Sequence, residues 1–462
     1  MDPRALRFLA NCTFGPTLAE YQRLQTMDVA AWLTWQMQLP PSLHRTAMQT
    51  LGNDQRHRQA TWWRLSLTAP DQLRQRVAWA LSQILVISDA QENLHGDPYG
   101  CAHFYDVLVA NAFGSYRDLL LAVALHPMMG RYLSHLRNAR ADTATGTRPD
   151  ENFARELMQL FTIGNWRLHP TGTQYLPPTP TYTQQDITEM ARVWTGWNYA
   201  GALTWWDYTA NHSPMQPNEV FHDQGSKLIL GRTFAANQGA RRDIEQAIDL
   251  LVRHANCAPF LSRQLIQRLT VSRPSGNYVR RVADVWTASN GHLGQVITAI
   301  LLDPEAQTPG TKMREPILMQ TALWRALGST SVTGEYRFYY AEHAFRQAPL
   351  RSPTVFNFYR PESLPAPEAE LLDHATLLSV VNHWYKSVYE PEDIRTQQAW
   401  LLPLAGSPEV LVEAMNLALR HGSMLAEERN LILAHLRQVQ DPAVRVGDAI
   451  WLTLSSPHAV VG

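Results

Sequence analysis

Two acids, a guanidinium and two amides share one helical face of the stretch Arg148-Pro-Asp-Glu-Asn-Phe-Ala-Arg-Glu-Leu-Met-Gln-Leu-Phe-Thr-Ile-Gly164. At about 100° per residue, Glu151, Arg155, Gln159, Asn152 and Glu156 fall on one arc, and Leu160, Phe153, Leu157, Phe161, Ala154 and Met158 on the opposite one. Such a set suits general acid–base chemistry, with one carboxyl moving a proton while Arg155 and Asn152 tune charge and orientation. Glu151 and Glu156 stand five residues apart and splay by roughly 140° on the 3.6-residue period. They do not form a dyad by themselves and need a partner from another segment. The competing readings are a structural polar network, or a solvated face stitched by the i,i+4 pair of Glu151 and Arg155.

The partner candidates lie downstream. Asp186 is the obvious second carboxylate, although a helix cap at Thr183 explains it as well. Arg192, Trp194 and Trp197 would set a cation and flat rings at the end of the same helix, which suits a sugar or an anionic ligand. His222, Asp223 and Lys227 fall in a turn-rich segment, where functional groups are commonly presented. An adjacent His-Asp pair is no serine-type triad, and no Gly-x-Ser-x-Gly elbow accompanies it. His222 with nearby acids leaves a divalent metal open, but no His-Glu-x-x-His occurs, so its ligands would come from distant segments. Glycine-rich phosphate motifs are missing, and no cofactor is expected.

The elements that must hold these groups read as helices. The opening stretch is expected as a helix over 150–163, with Thr147 and Asp150 as a capping box, Pro149 in the first turn and Gly164 as its stop. Thr183 caps a second helix running to about Trp194. Between 198 and 238 helical periodicity is lost, and Val220–His222 with Lys227–Leu230 could pair as a small hairpin. Trp205, Trp206 and Tyr208 stand in this irregular segment. Helices are expected at 99–112, 116–125, 239–253, 258–271, 276–289 and 293–302, with a final set after an irregular 346–370. The fold class is mainly α: a large multi-helical core over 1–330 carrying the stretch and loop 165–238, and a C-terminal helical extension over 331–462.

Composition narrows the function. A net charge of −1 with scattered arginines argues against a nucleic-acid partner. Three cysteines far apart give no metal-type spacing and no disulfide framework. No run of 18 apolar residues suggests a membrane span. The N-terminus carries no secretory hydrophobic region, so the chain is expected in the cytoplasm, or exported if a targeting segment was removed. Fifteen tryptophans are either core fillers or sugar-stacking surfaces.

The Pro149–Gly164 stretch resembles the hallmark of the bacterial proteins grouped as domain of unknown function 1800. Phe8-Leu-Ala-Asn-Cys-Thr-Phe-Gly-Pro16, Leu73-Arg-Gln-Arg-Val-Ala-Trp-Ala-Leu-Ser-Gln83, Ala191-Arg-Val-Trp-Thr-Gly-Trp197, His222-Asp-Gln-Gly-Ser-Lys227 and Arg314-Glu-Pro316 agree with it in order. The resemblance covers nearly the whole chain. It implies one helical architecture, frequent export, and frequent company of a sulfatase-like protein, and names no activity. The leading expectation is a hydrolase-like enzyme on a glycan or other polar polymer, with Glu151 or Glu156 working with Asp186 or Asp223. The alternatives are a non-catalytic binding or maturation partner of a sulfatase-like protein, and a metal-dependent enzyme centred on His222.

Overall fold

The computed structural model describes residues 1–209, 212–358 and 366–461. Pro361 and Pro365 of the irregular 346–370 segment therefore lie outside the described residues, as do Ala210 and Asn211 of the loop after Tyr208. The described chain is mainly helical, and its strands form only two-stranded sheets. Two compact units are discontinuous in sequence. One gathers Met1–Trp79, Ile266–Arg273 and Ile300–Gly462; the other gathers Ala80–Leu265 and Pro274–Ala299.

In the second unit the helices Pro98–Ala110, Tyr116–Ala124, Ala240–Val252 and Gly276–Ala288 follow the apolar periodicity closely. The hallmark helix is shorter than its pattern, spanning Asn152–Gln159. The expected Thr147–Asp150 box does not form. Instead the Asn138 carboxamide clamps the backbone of Asp150, accepting from its N–H at 2.8 Å and donating to its carbonyl at 3.3 Å. Asp150 in turn accepts the Asn152 N–H at 2.8 Å. Pro149 thus sits in the approach to the helix rather than its first turn. The far end closes as read: the Gly164 N–H reaches back to the Met158 carbonyl with Gly164 at φ +70°.

The second helix, Gln184–Val193, has the capping box expected at Thr183 and Asp186. After it, Gly196 takes φ +83°, and a Cβ there would stand 2.8 Å from the His222 backbone nitrogen. Only glycine lets these two segments pass so closely. The hairpin lies one turn later than its pattern. Lys227–Ile229 pairs with Arg232–Phe234, not with Val220–His222. Leu230 and Gly231 between them both have positive φ, the geometry a two-residue turn needs to match strand twist. Two further pairs escaped the sequence reading, Trp197–Asn198 with Gln216–Pro217 and Thr330–Ser331 with Ile394–Arg395.

In the first unit, Leu18–Leu24 and Val29–Gln38 are separate helices, because the Asp28 side chain accepts the Ala31 N–H and starts the second. Its core is aromatic. Trp62 makes edge contacts with Phe14, Trp63 and Trp79, and Trp63 packs on Trp324 and Phe338. The tail helices His374–Tyr389, Pro408–Arg420, Ala426–Leu436 and Pro442–Ser455 complete it.

Candidate functional site

The hallmark helix and the Gln184–Val193 helix are joined through Glu151. Its carboxylate accepts from Arg155 Nη2 at 3.2 Å, Gln184 Nε2 at 2.9 Å and Thr188 Oγ1 at 2.8 Å. Two of those donors come from the second helix, so Glu151 fixes how the helices meet while staying half-exposed. Asn152 is exposed at the start of the arc, and Arg155 and Gln159 are half-buried.

Glu156 is different. It stands at the buried edge of the arc, 6 % exposed, and its Oε2 has no hydrogen-bond partner. Burial pushes its carboxyl up to about 7 against the pull of the Arg155 guanidinium. Tyr182 is close enough to feel its charge. Burial first, then the Glu156 carboxylate, push the phenol up to about 12. The phenol donates to Asn165 Oδ1 at 2.6 Å. Asn165 lines a small pocket of about 180 Å³ with Trp166, Gln174, Phe260 and Arg263 among its walls. Trp166 is 45 % exposed there. A proton-holding carboxyl, a phenol and a pocket with an open indole face are thus linked through side chains of one unit.

His222, Asp223, Lys227 and Arg192 form a second, closed assembly. Lys227 is buried and its ammonium meets Asp243 Oδ2 at 2.7 Å, the Asp223 carbonyl at 2.6 Å and the Gly225 carbonyl at 3.0 Å. His222 faces Asp243 Oδ2 through Nε2 at 3.1 Å and the Thr195 carbonyl through Nδ1 at 2.9 Å. Gln238 donates to the other oxygen of Asp243. Arg192 binds both oxygens of Asp223 at 2.9 Å and also Glu189. Burial pushes the Asp243 carboxyl up, but donors from His222, Lys227 and Gln238 outweigh it and hold it below the usual carboxylate range. For Asp223, burial is likewise overcome, chiefly by Arg192. Every acid here has a cation, as a buried ion network requires. Both ring nitrogens of His222 are engaged, and among the described residues no three His, Cys, Asp or Glu are grouped to hold a metal ion.

The other candidates are engaged or buried. Asp186 spends one oxygen on Thr183 and the other on the Leu230 N–H at 2.7 Å, tying its helix to the hairpin turn. Trp194 and Trp197 are buried, not open to a ligand. Trp194 packs edge-on against Phe153 of the hallmark helix and against His135. Trp205 stacks on Phe221 at 4.0 Å, while Trp206 is 76 % exposed. Tyr182, Asn165, Glu189, Gln238 and Asp243 were not legible. Tyr182 had one available cue, its place just before the capping Thr183; Asp243 had none, lying in the first turn of a helix otherwise read for its apolar stripe.

A family model described as protein of unknown function (DUF1800) matches residues 7–461. The chain belongs to the DUF1800 family. No curated protein and no solved structure matches it. Membership therefore extends over the hallmark helix, the Glu156 environment and the His222 network alike. No helix among the described residues is long and apolar enough to cross a membrane.

Proposed function

We propose that this DUF1800 protein is a hydrolase-like enzyme acting on a glycan or other polar polymer, with Glu156 as its general acid. The observation that carries the reading is the Glu156 carboxyl itself: buried, raised to about 7, with Oε2 unpartnered. A carboxyl poised near neutrality can both hold a proton and release it to a leaving oxygen. Asp186, Asp223 and Glu151 all have both oxygens engaged by protein donors, so Glu156 is assigned both the acid and the base role. As the glycosidic C–O bond breaks, the Glu156 proton passes to the leaving oxygen. Water then adds to the sugar carbon and returns a proton to the Glu156 carboxylate, which restores the acid. Tyr182 and Asn165 orient the substrate beside the Trp166 pocket.

Glu156→Gln keeps the shape and removes the proton. It should leave the circular dichroism spectrum unchanged and abolish turnover on a panel of polysaccharides; unchanged turnover would remove Glu156 from the chemistry. A second reading, docking of a partner such as a sulfatase-like protein, is favoured by Leu203, Trp206 and Val220, which are 95 %, 76 % and 68 % exposed. Co-purification that is lost in Trp206→Ser, together with no turnover on any polymer, would favour it.

A further inference from the structure

A cleft of the first unit holds none of the residues discussed so far as a site. It has a volume of about 690 Å³, within the ~300–1,000 Å³ of small-molecule sites. Its walls come from residues 337–344, the last of them in the short helix Ala341–Phe345, and from the end of the His374–Tyr389 helix with the turn after it. Phe338, Tyr339 and Tyr340 supply aromatic surface, and Tyr340 is 46 % exposed with its ring stacked on His343.

This wall is built rather than loose. Asp393 accepts from Ser331 Oγ at 2.7 Å, the Thr333 N–H at 3.0 Å and the Arg337 N–H at 2.7 Å, pinning the loop. Tyr336 and Tyr340 both hold φ near +60°, which costs energy for a residue with a Cβ. The Tyr340 N–H is tied to Gln59 Oε1 at 2.9 Å.

The polar groups define what fits. His383 lies against Phe338 and Phe345, and its Nε2 is buried without a hydrogen-bond partner. Burial, and then Lys386, hold that imidazole down at about 4, so it is neutral in ordinary buffers and offers one donor and one acceptor. Arg337 is engaged by Glu335 at 2.7 Å, and Asp393 is spent on the loop. Lys386, Glu390 and Glu392 complete the polar lining, all three exposed. An anion meets too many acids here, and an apolar ligand would strand them. A polyhydroxylated ring matches both sets, with C–H faces for the aromatics and hydroxyls for carboxylates and imidazole.

We propose that this cleft is a binding site for a neutral oligosaccharide, gripped by Tyr340 and Phe338 with hydroxyl contacts to His383, Glu390 and Glu392. It is separate from Glu156 and stands whether or not Glu156 is catalytic. The test titrates the full chain by calorimetry with cellotetraose, chitotetraose, xylotetraose and, as the charged comparison, tetragalacturonate. At least one neutral tetrasaccharide should bind. Tyr340→Gly, which removes the ring while keeping the backbone at positive φ, should weaken that binding at least tenfold, and Glu392→Gln several-fold. Glu156→Gln should leave it unchanged, so loss of turnover and loss of binding are read separately. Absence of binding by all three neutral sugars, tighter binding of the galacturonate, or affinity unaltered by both cleft variants with melting temperatures intact would each overturn the assignment.

Discussion

Glu156 and Asp243 are both buried acids in the same unit, and they have opposite surroundings. Asp243 receives three side-chain donors and is held below the usual carboxylate range; Glu156 has an oxygen with none and is raised to about 7. The first arrangement is closed, since every charge is answered by a neighbour. The second is incomplete, since one buried oxygen receives no donor and the carboxyl holds its proton more tightly for it. Residue type does not distinguish them, because both are acids on helices. The difference lies in how many donors the tertiary structure brings to each.

The comparison breaks most visibly at Asp243. Asp243→Ala strands Lys227 and His222 in the interior, and removal of one partner of a buried pair costs about 3–5 kcal/mol. Thermal unfolding should show a melting temperature lower by many degrees, or no soluble protein. Glu156→Gln should do the reverse, leaving the melting curve near that of the parent at acid pH and lowering turnover by ~10²–10⁴-fold.

A pH series sharpens the contrast. The folded Glu156 carboxyl keeps its proton to about 7, against an ordinary value of 4.5. Between those values the folded state binds more protons than the unfolded state. The Glu156 contribution is therefore fully present below 4.5 and is lost as pH rises through about 7, a change on the order of 3 kcal/mol. Chemical denaturation across this window should show that loss, and Glu156→Gln should flatten it; an identical slope in the variant would mean Glu156 is not the group titrating. The smallest effect belongs to the cap. Thr183→Ala removes the side-chain oxygen that accepts the Asp186 N–H, costing about 1 kcal/mol, with turnover little changed if Asp186 is structural.

Much of the local structure was written in the chain. The Thr183–Asp186 box, the Gly164 stop and the apolar stripes of the long helices depend on residues within a few positions of each other, where periodicity and capping chemistry act. The polar arc from Glu151 to Gln159 was legible for the same reason, including the divergence of its two glutamates. The misplaced hairpin has a local cause as well: Leu230-Gly231 makes the turn, and a leucine at positive φ gives no composition cue.

What the sequence by itself determined is the helical class, the family, and a short helix with one polar side. What only the tertiary structure decided is which of its acids is buried without a donor. That choice depends on long-range neighbours: Gln184 and Thr188 satisfy Glu151, Arg192 takes Asp223, and Lys227 with His222 takes Asp243. Glu156, turned toward the interior, is left without such a donor at Oε2. A carboxyl's proton affinity is set by burial and by the charges folded against it, and neither is a property of the residues beside it in the chain.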